Sequence, residues 1–397
     1  MTEELRVSAS PGEHRIAWLR DDVLLEVVVE RPARPDGVGD LHLARVSAVS
    51  PPMSGAFLLL GDGTTAFLAE SEAGETRLPI ARAVQEGQLL PVRITRAALG
   101  GKGPRVTAKL STAERAQASE KPGASEKPGA GEQLGAGEKL GLIARGPDAA
   151  LRLARRAPRA QLLTDSATLA ARLSREVGAA RVHLVPRAFD AALEEEFAAL
   201  TEPEAPLPGG GRLLIHPTPA LTAIDVDSGS RAGARDAQGT LAVNKLAVVE
   251  AARQIRLRNI GGAILLDLAG LAPKQRAALE EPFAAALAGD PLGPRLLGLT
   301  RLGLMEVVRP RIHPALHEVL GLPASPLTHG LAALRRAMHE VAAMPGQALA
   351  LRAHPAVLAA LEALPGALAD HAAGAGRALV LRADPRLAPG REVLEPA

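Results

Sequence analysis

Two aspartates stand inside apolar runs, Asp225 in TAIDV and Asp267 in AILLDLA. An ionised carboxylate among aliphatic side chains is expensive unless something compensates it, and a divalent cation does so directly. Mg2+ is commonly held by one or two carboxylates, with water and a substrate phosphate completing its octahedron, so this pair would suffice for a single ion. Bound there, the ion would lower the pKa of a water and neutralise charge developing on a phosphate. Asp227 adds a third carboxylate, because alternation along a strand puts residues 225 and 227 on one face. The residues alone leave alternatives open: strand-end aspartates also cap helices and pair with arginines, and a D-x-D also serves nucleotide-sugar transferases. Ser228 and Ser230 have no base pattern beside them to make a nucleophile. Of the ten histidines, His313, His317 and His329 lie nearest to one another without making a ligand set.

The flanking segments must position these acids. RLLIHP and ALTAIDVDSGS predict strands at 212–216 and 220–227 joined as a hairpin; a helix over about 241–258 follows, and GGAILLDLAG returns as a strand ending at Asp267. Two acids thereby reach the ends of neighbouring strands. PKQRAALEEPFAAAL then reads as helix and PRLLGLTRLGLMEVVRPR as a basic strand region, where Arg301, Arg309 and Arg311 are candidates for phosphate contact. Between residues 24 and 110, short apolar runs separated by Gly, Pro and Asp (LLEVVVE, LHLARVSAVS, GAFLLL, TAFLAE, LLPVRITRAAL, PRVTAKL) suggest a small β-barrel. Their order, from Gly39–Asp40 through ARVSAVSPPM, GAFLLLGDG and AFL, fits an S1-like OB-fold, a binder of single-stranded RNA. Phe57 and Phe67 stand where such barrels place stacking rings, each worth roughly 1–3 kcal/mol per base, with membership of the core as the alternative. Lys102, in GGKGPRV, sits either beside an RNA path or simply on a Gly-rich surface turn.

The rest of the chain frames these parts. A six-residue repeat, SEKPGA, SEKPGA, GEQLGA, GEKLG, offers nothing to bury and reads as a solvated linker. After Leu142 helices alternate with strands, ATLAARLSREV, ARVHLV and FDAALEEEFAAL, and the tail reads helix, strand, helix, strand through GLAALRRAMHEVAA, QALALRA, AVLAALEALPGALADHA and RALVLRA. The length of 397 residues implies several domains. No apolar run approaches the ~20 residues that cross a bilayer, and the acidic MTEELRVSAS lacks the basic start of a signal peptide. Zero Cys excludes disulfides and thiolate zinc, which fits a reducing, cytoplasmic setting. The formal charge of +2 conceals arginines gathered near Arg295, Arg301, Arg309 and Arg311, and the scarcity of aromatics goes with a high Ala, Gly, Pro and Arg content.

Four motifs in order resemble the ribonuclease E/G family. TAIDVDSGS is similar to its TAIDVNSG; Asn244, Glu250, Ala252, Arg253, Gln254, Arg256, Leu257 and Arg258 match its N-x-EIARQLRLR; Gly261-Gly262 with ILLDLAG resembles GG-x-IVIDF; TRLGLMEVVRPR resembles SRLGLVEMTRKR. LPGGGRLLI is similar to the family's LPSGG hairpin, which removes a phosphate-loop reading of Gly209 to Gly211. The resemblance, which spans nearly the whole chain, implies that Asp225 and Asp267 bind one Mg2+ per active site and that Asp227 stands where the family has a catalytic asparagine. Gly270 replaces an acid usual three residues after the second aspartate. GLIARG resembles GLIVRTA, whose Arg and Thr hold an RNA 5′-monophosphate, so Arg145 keeps the cation while Gly146 loses the hydroxyl; weak or absent preference for 5′-monophosphate ends is expected. SPLTHG replaces the CPxCxG zinc link between protomers, so no structural zinc is expected, and a homodimer by other contacts stays open.

The expected fold is mixed α/β and multi-domain, an RNase H-like catalytic region with an S1-like OB-fold barrel and a small C-terminal α/β domain. Residues 1–38 supply N-terminal strands of the RNase H-like region, 39–112 the RNA-binding barrel, 113–141 the linker, 142–208 a shortened sensor and RNase H-like region, 209–322 the catalytic metal-binding domain and 323–397 the C-terminal unit. The expected activity is Mg2+-dependent endonucleolytic cleavage of single-stranded RNA, with Asp225, Asp227 and Asp267 catalytic and Phe57, Phe67, Lys102, Arg145, Arg301, Arg309 and Arg311 binding RNA. The alternative is a catalytically impaired RNA-binding member of the same family; the transferase reading lacks any nucleoside-binding pattern.

Overall fold

The computed structural model describes residues 2–76, 78–120, 140–208, 210–229, 237–344 and 346–397. Most of the repeat, Ser230 and the segment that follows it therefore lie outside the described residues. The chain divides into two units, one comprising residues 36–148 with 311–314 and the other the remainder.

The larger unit carries three sheets. In the first, Glu3–Ser10, Glu13–Arg20 and Val23–Glu30 run as an antiparallel meander, and Gln161–Thr164 and then Val182–Leu184 add in parallel beside Glu3–Ser10. Both faces of this sheet are covered, and Val23–Glu30 accordingly reads as a near-continuous apolar run. Leu5, Val7, Ile16 and Trp18 meet Leu153 and Leu173 of the helices Ala149–Arg156 and Ala167–Val177. Leu19, Leu24 and Val27 meet Leu193 and Phe197 of the helix Ala191–Ala199 on the other side. The LLEVVVE run thus belongs to this sheet and not to the barrel, because its second face is needed by that helix.

The second sheet positions the acids. Its order is Glu204–Pro206, Arg212–Pro217, Leu221–Asp227, Gly262–Asp267, Met305–Arg309, Arg295–Leu299. Arg212–Pro217 and Leu221–Asp227 form the expected antiparallel hairpin, while Leu221–Asp227 and Gly262–Asp267 are parallel. A parallel pair needs a long crossover, supplied by the helix Ala237–Leu257. That helix buries Asn244, Ala247, Val248, Ala251 and Ile255 at the spacing of one helical face. They pack on Leu213, Ile215, Ile224, Val226, Ile264, Leu266, Met305 and Val307, every second residue of their strands. Truncating one of these aliphatic side chains to Ala costs about 2–5 kcal/mol.

In the third sheet Val380–Ala383 lies parallel, and Val393–Pro396 antiparallel, to Leu349–Ala353. The single helix expected over AVLAALEALPGALADHA is two, Pro355–Glu362 and Ala367–Ala375. Pro365 cannot continue the first, and Gly366 takes φ +84 to start the second. Among the described residues no single helix is long and apolar enough to cross a membrane.

The smaller unit is a five-strand barrel. Leu41–Ser50, Gly55–Leu59, Thr65–Ala69, Arg105–Thr107 and Leu89–Arg96 pair in that order, and the last closes on the first. In chain order the strands therefore follow 1-2-3-5-4-1. Gly141–Ala144 adds beside Leu41–Ser50. Ala44, Val46, Ala56, Leu58, Ala66, Leu68, Val92, Ile94 and Val106 fill the interior.

Candidate active site

Asp225 and Asp267 are register partners across the parallel pair, at the carboxyl ends of adjacent strands. Open α/β sheets bind ligands at that end. Because Ile224, Val226 and Leu266 turn into the core, alternation sends both aspartates to the opposite face. There both are exposed, Asp267 with 52% of its side chain open. The expected burial among aliphatic residues is thereby corrected: the strands are apolar, but the carboxylates stand outside them, and desolvation does not by itself demand a cation. The donor set nevertheless fits one. Asp225 has no hydrogen bond or ion pair among the described residues, and Asp267 commits one oxygen to Arg276, whose Nη1 lies 3.3 Å from Oδ1. Two open carboxylates with room for water and phosphate match the sparse protein coordination of Mg2+. Among the described residues no three His, Asp or Glu side chains form a metal-ligand cluster.

Asp227 is differently placed. Its Oδ1 accepts from the Gly229 backbone N–H at 2.9 Å and its Oδ2 from Arg212 Nε at 3.0 Å. The Gly229 N–H first, and the Arg212 guanidinium second, hold its carboxyl below the usual carboxylate range. Gly211, at φ +88, lets the hairpin close here: a Cβ on it would come within 2.8 Å of the Asp227 carbonyl oxygen.

On the barrel, Phe57 and Phe67 are register partners on the outer face, half-buried and outside the interior cluster. Their rings meet edge to face at 5.5 Å, and the Arg105 guanidinium lies 5.8 Å from the Phe67 ring. Lys102 is exposed in the turn bridged by Leu99 and Lys102. Arg145 is 62% open, yet its Nη1 sits 2.6 Å from Oδ2 of buried Asp40, so its charge is already matched.

A model of the ribonuclease E/G family matches residues 162–312, which include both aspartates and the crossover helix. Ribonuclease G of Escherichia coli is 28% identical over 412 residues, covering 83% of this chain and 84% of that protein. Ribonuclease G of Haemophilus influenzae is 25% identical, covering 82% and 83%. Residues 162–312 thus resemble the ribonuclease E/G family, and the Ribonuclease G relatives align with most of the chain. Ribonuclease E of a Synechocystis species is 42% identical over 124 residues, 31% of this chain and 18% of that protein. The solved "a/eIF2alpha-aDim2p-rRNA complex from Pyrococcus horikoshii OT3" overlaps 21% of this chain and 55% of that one, at 22% identity and a TM-score of 0.19 too low to bear on the fold.

The three arginines expected to meet phosphate separate. Arg301 is exposed in a turn beside Leu302, which is 84% open. Arg311 is half-buried and engaged, in the short segment that groups with the barrel unit. Arg309 is only 4% open, and the phosphate role is corrected for it. Its Nε donates to Asp290 at 2.7 Å and its Nη1 to Asn259 Oδ1 and the Ile260 carbonyl at 2.8 and 3.2 Å. The reason is phase: Met305 and Val307 are inward, so residue 309 is inward too. Arg276, Arg105 and Asn244 join the candidate sites only through the fold. The first two carry no signal beyond a charge. Asn244 stood in a quoted motif, but its partner at residue 269 is 25 residues away.

Proposed function

We propose that this chain is a Mg2+-dependent endoribonuclease that cleaves single-stranded RNA in RNA processing or decay in the cytoplasm, leaving a 5′-phosphate and a 3′-hydroxyl. The observation that carries the reading is the register pair Asp225 and Asp267, exposed at adjacent strand ends with Asp225 unpartnered among the described residues. The names Ribonuclease G and Ribonuclease E of its relatives support the same class of reaction. Asp225 and Asp267 would hold the cation; what it supplies when bound is neutralisation of the phosphate and a more acidic water for in-line attack. Asp225 offers both carboxylate oxygens, and Asp267 keeps the one that Arg276 leaves. Exposed Arg301 meets backbone phosphate.

The barrel's strand order supports an S1-like OB-fold, in which the Phe57 and Phe67 rings stack bases while Arg105 and Lys102 face the backbone. The three antiparallel and two parallel strands of the first sheet support the RNase H-like assignment. Arg145, neutralised by Asp40, supports little discrimination at the RNA 5′ end.

Asp227 favours one rival, a catalytically impaired RNA-binding protein. Held ionised by Gly229 and Arg212, it presents a carboxylate where the family motif has an amide, and a carboxylate repels phosphate. One assay separates the two: a labelled, single-stranded, A/U-rich RNA with Mg2+, using wild type, Asp225→Asn and Asp267→Asn. Cleavage by wild type falling at least about a hundredfold in both variants is expected, since metal stabilisation of a transition state is worth several kcal/mol. Binding without cleavage by wild type favours the rival, and cleavage that survives both substitutions removes the proposed centre.

A further inference from the structure

We propose that Asn244 and Arg276 are the positioning residues of the Asp267 carboxylate, an inference that rests on the divalent-cation reading above. The strand carrying Asp267 leaves the sheet at its end, where its register with Met305–Arg309 stops at Leu266 opposite Met305. Two residues beyond Asp267, the Ala269 backbone still has a donor and an acceptor to satisfy. Asn244 takes both. The Ala269 N–H donates to Asn244 Oδ1 at 3.0 Å, and Asn244 Nδ2 donates to the Ala269 carbonyl at 2.9 Å and to the Thr240 carbonyl at 2.8 Å. The side chain is 0% exposed.

A side-chain amide thus substitutes for one residue of a neighbouring strand, a role that needs an acceptor and donors on a single group. Asn244 belongs to the crossover helix Ala237–Leu257, which joins the Asp225 strand to the Asp267 strand. Its clamp therefore sets the end of one acid-bearing strand from the helix that follows the other.

Arg276 holds the carboxylate itself. Its Nε donates to the Leu271 carbonyl at 3.1 Å, and its Nη1 is shared between the Gly303 carbonyl at 2.8 Å and Asp267 Oδ1 at 3.3 Å. Gly303, at φ +83, permits that approach; a Cβ there would lie 3.2 Å from Arg276 Nη1. The same guanidinium thus fastens the turn that carries Arg301 and fixes one Asp267 oxygen. Being a cation, it also competes with any metal for that carboxylate.

The two residues therefore act on metal affinity with opposite signs. Mn2+ binding is measured without RNA, by electron paramagnetic resonance of the free ion, on the full chain. Asn244→Leu keeps the bulk and loses the clamp, and it should weaken Mn2+ binding about tenfold, in the range seen for groups that orient metal ligands. Asn244→Ser, which loses bulk but keeps a hydroxyl able to bond one of the three backbone groups, should do the same to a smaller degree. Arg276→Met should tighten Mn2+ binding about threefold, the scale of an exposed ion pair, while Arg276→Lys should bind as wild type does. In RNA cleavage, both Asn244→Leu and Arg276→Met should lower kcat, and Asn244→Leu should leave KM within about twofold, since the buried Asn244 is not placed against the bound RNA. Thermal melting reports folding for each variant. Wild-type Mn2+ affinity in both folded variants, or weakening in both, overturns the positioning roles while Asp267→Asn still abolishes binding. Undiminished Mn2+ binding by Asp267→Asn overturns the metal reading itself and this proposal with it.

Discussion

On the six-stranded sheet, Ile224 and Val226 turn inward and Asp225 outward; on the barrel, Ala56 and Leu58 turn inward and Phe57 outward, as Phe67 does between Ala66 and Leu68. The same alternation thus presents different chemistry in the two units. The barrel offers two rings with Arg105 beside one of them, a surface whose proposed contacts with RNA need no cation. The sheet end offers carboxylates, one of them with no partner among the described residues, and these repel phosphate until a cation lies between them. Binding and cleavage should therefore separate when the metal is removed. With EDTA, cleavage is expected to fall by at least about a hundredfold, while the Kd for a single-stranded RNA, by fluorescence anisotropy, stays within about threefold, because the barrel's contacts involve no metal. A parallel loss of binding would place the RNA on the carboxylates and end the contrast.

Arg301, in the turn between two strands of this sheet, and Arg309, at the end of the second, differ in the same way. Arg309 and Asp290 are a buried pair, and removing one partner strands the other charge, so Arg309→Met should cost about 3–5 kcal/mol in urea unfolding. Exposed Arg301→Ala should leave stability within about 0.5 kcal/mol and instead weaken RNA binding, lowering the salt slope by about one. Reversed results would put Arg309 back on the RNA.

These arginines also mark what the sequence makes legible. The hairpin, crossover helix and return strand follow from local period and turn residues, so the pairing of Asp225 with Asp267 could be anticipated. An apolar run is not an apolar environment: in TAIDV and MEVVR the period of two already sends residue 225 out and residue 309 in. Pro365–Gly366 likewise carried the helix break in plain view. The contacts of Asn244 with Ala269 and of Arg276 with Gly303 were not legible, because each joins segments separated by more than 20 residues and depends on where a strand stops.

On the barrel, Phe57→Ala and Phe67→Ala should each weaken RNA binding by about 1–3 kcal/mol, the worth of a stacked base. Since both rings lie outside the interior cluster, stability should change little; a large loss in melting temperature without loss of affinity would return them to the core.

The smallest effect concerns Asp227, where charge rather than burial decides. Its carboxyl is held below the usual carboxylate range by the Gly229 N–H and the Arg212 guanidinium. A depressed folded-state pKa contributes stability that is present above the unfolded value and lost as pH falls through the folded one. Asp227→Asn should therefore flatten the acid limb of the stability curve below about pH 4 and leave melting at pH 7 nearly unchanged, because the group is exposed. Cleavage at neutral pH gives the complementary readout. If the carboxylate repels phosphate, the amide should raise kcat by a few-fold; an unchanged kcat would mean that the Arg212 pair already cancels the charge, and that the sheet end carries two acids toward RNA rather than three.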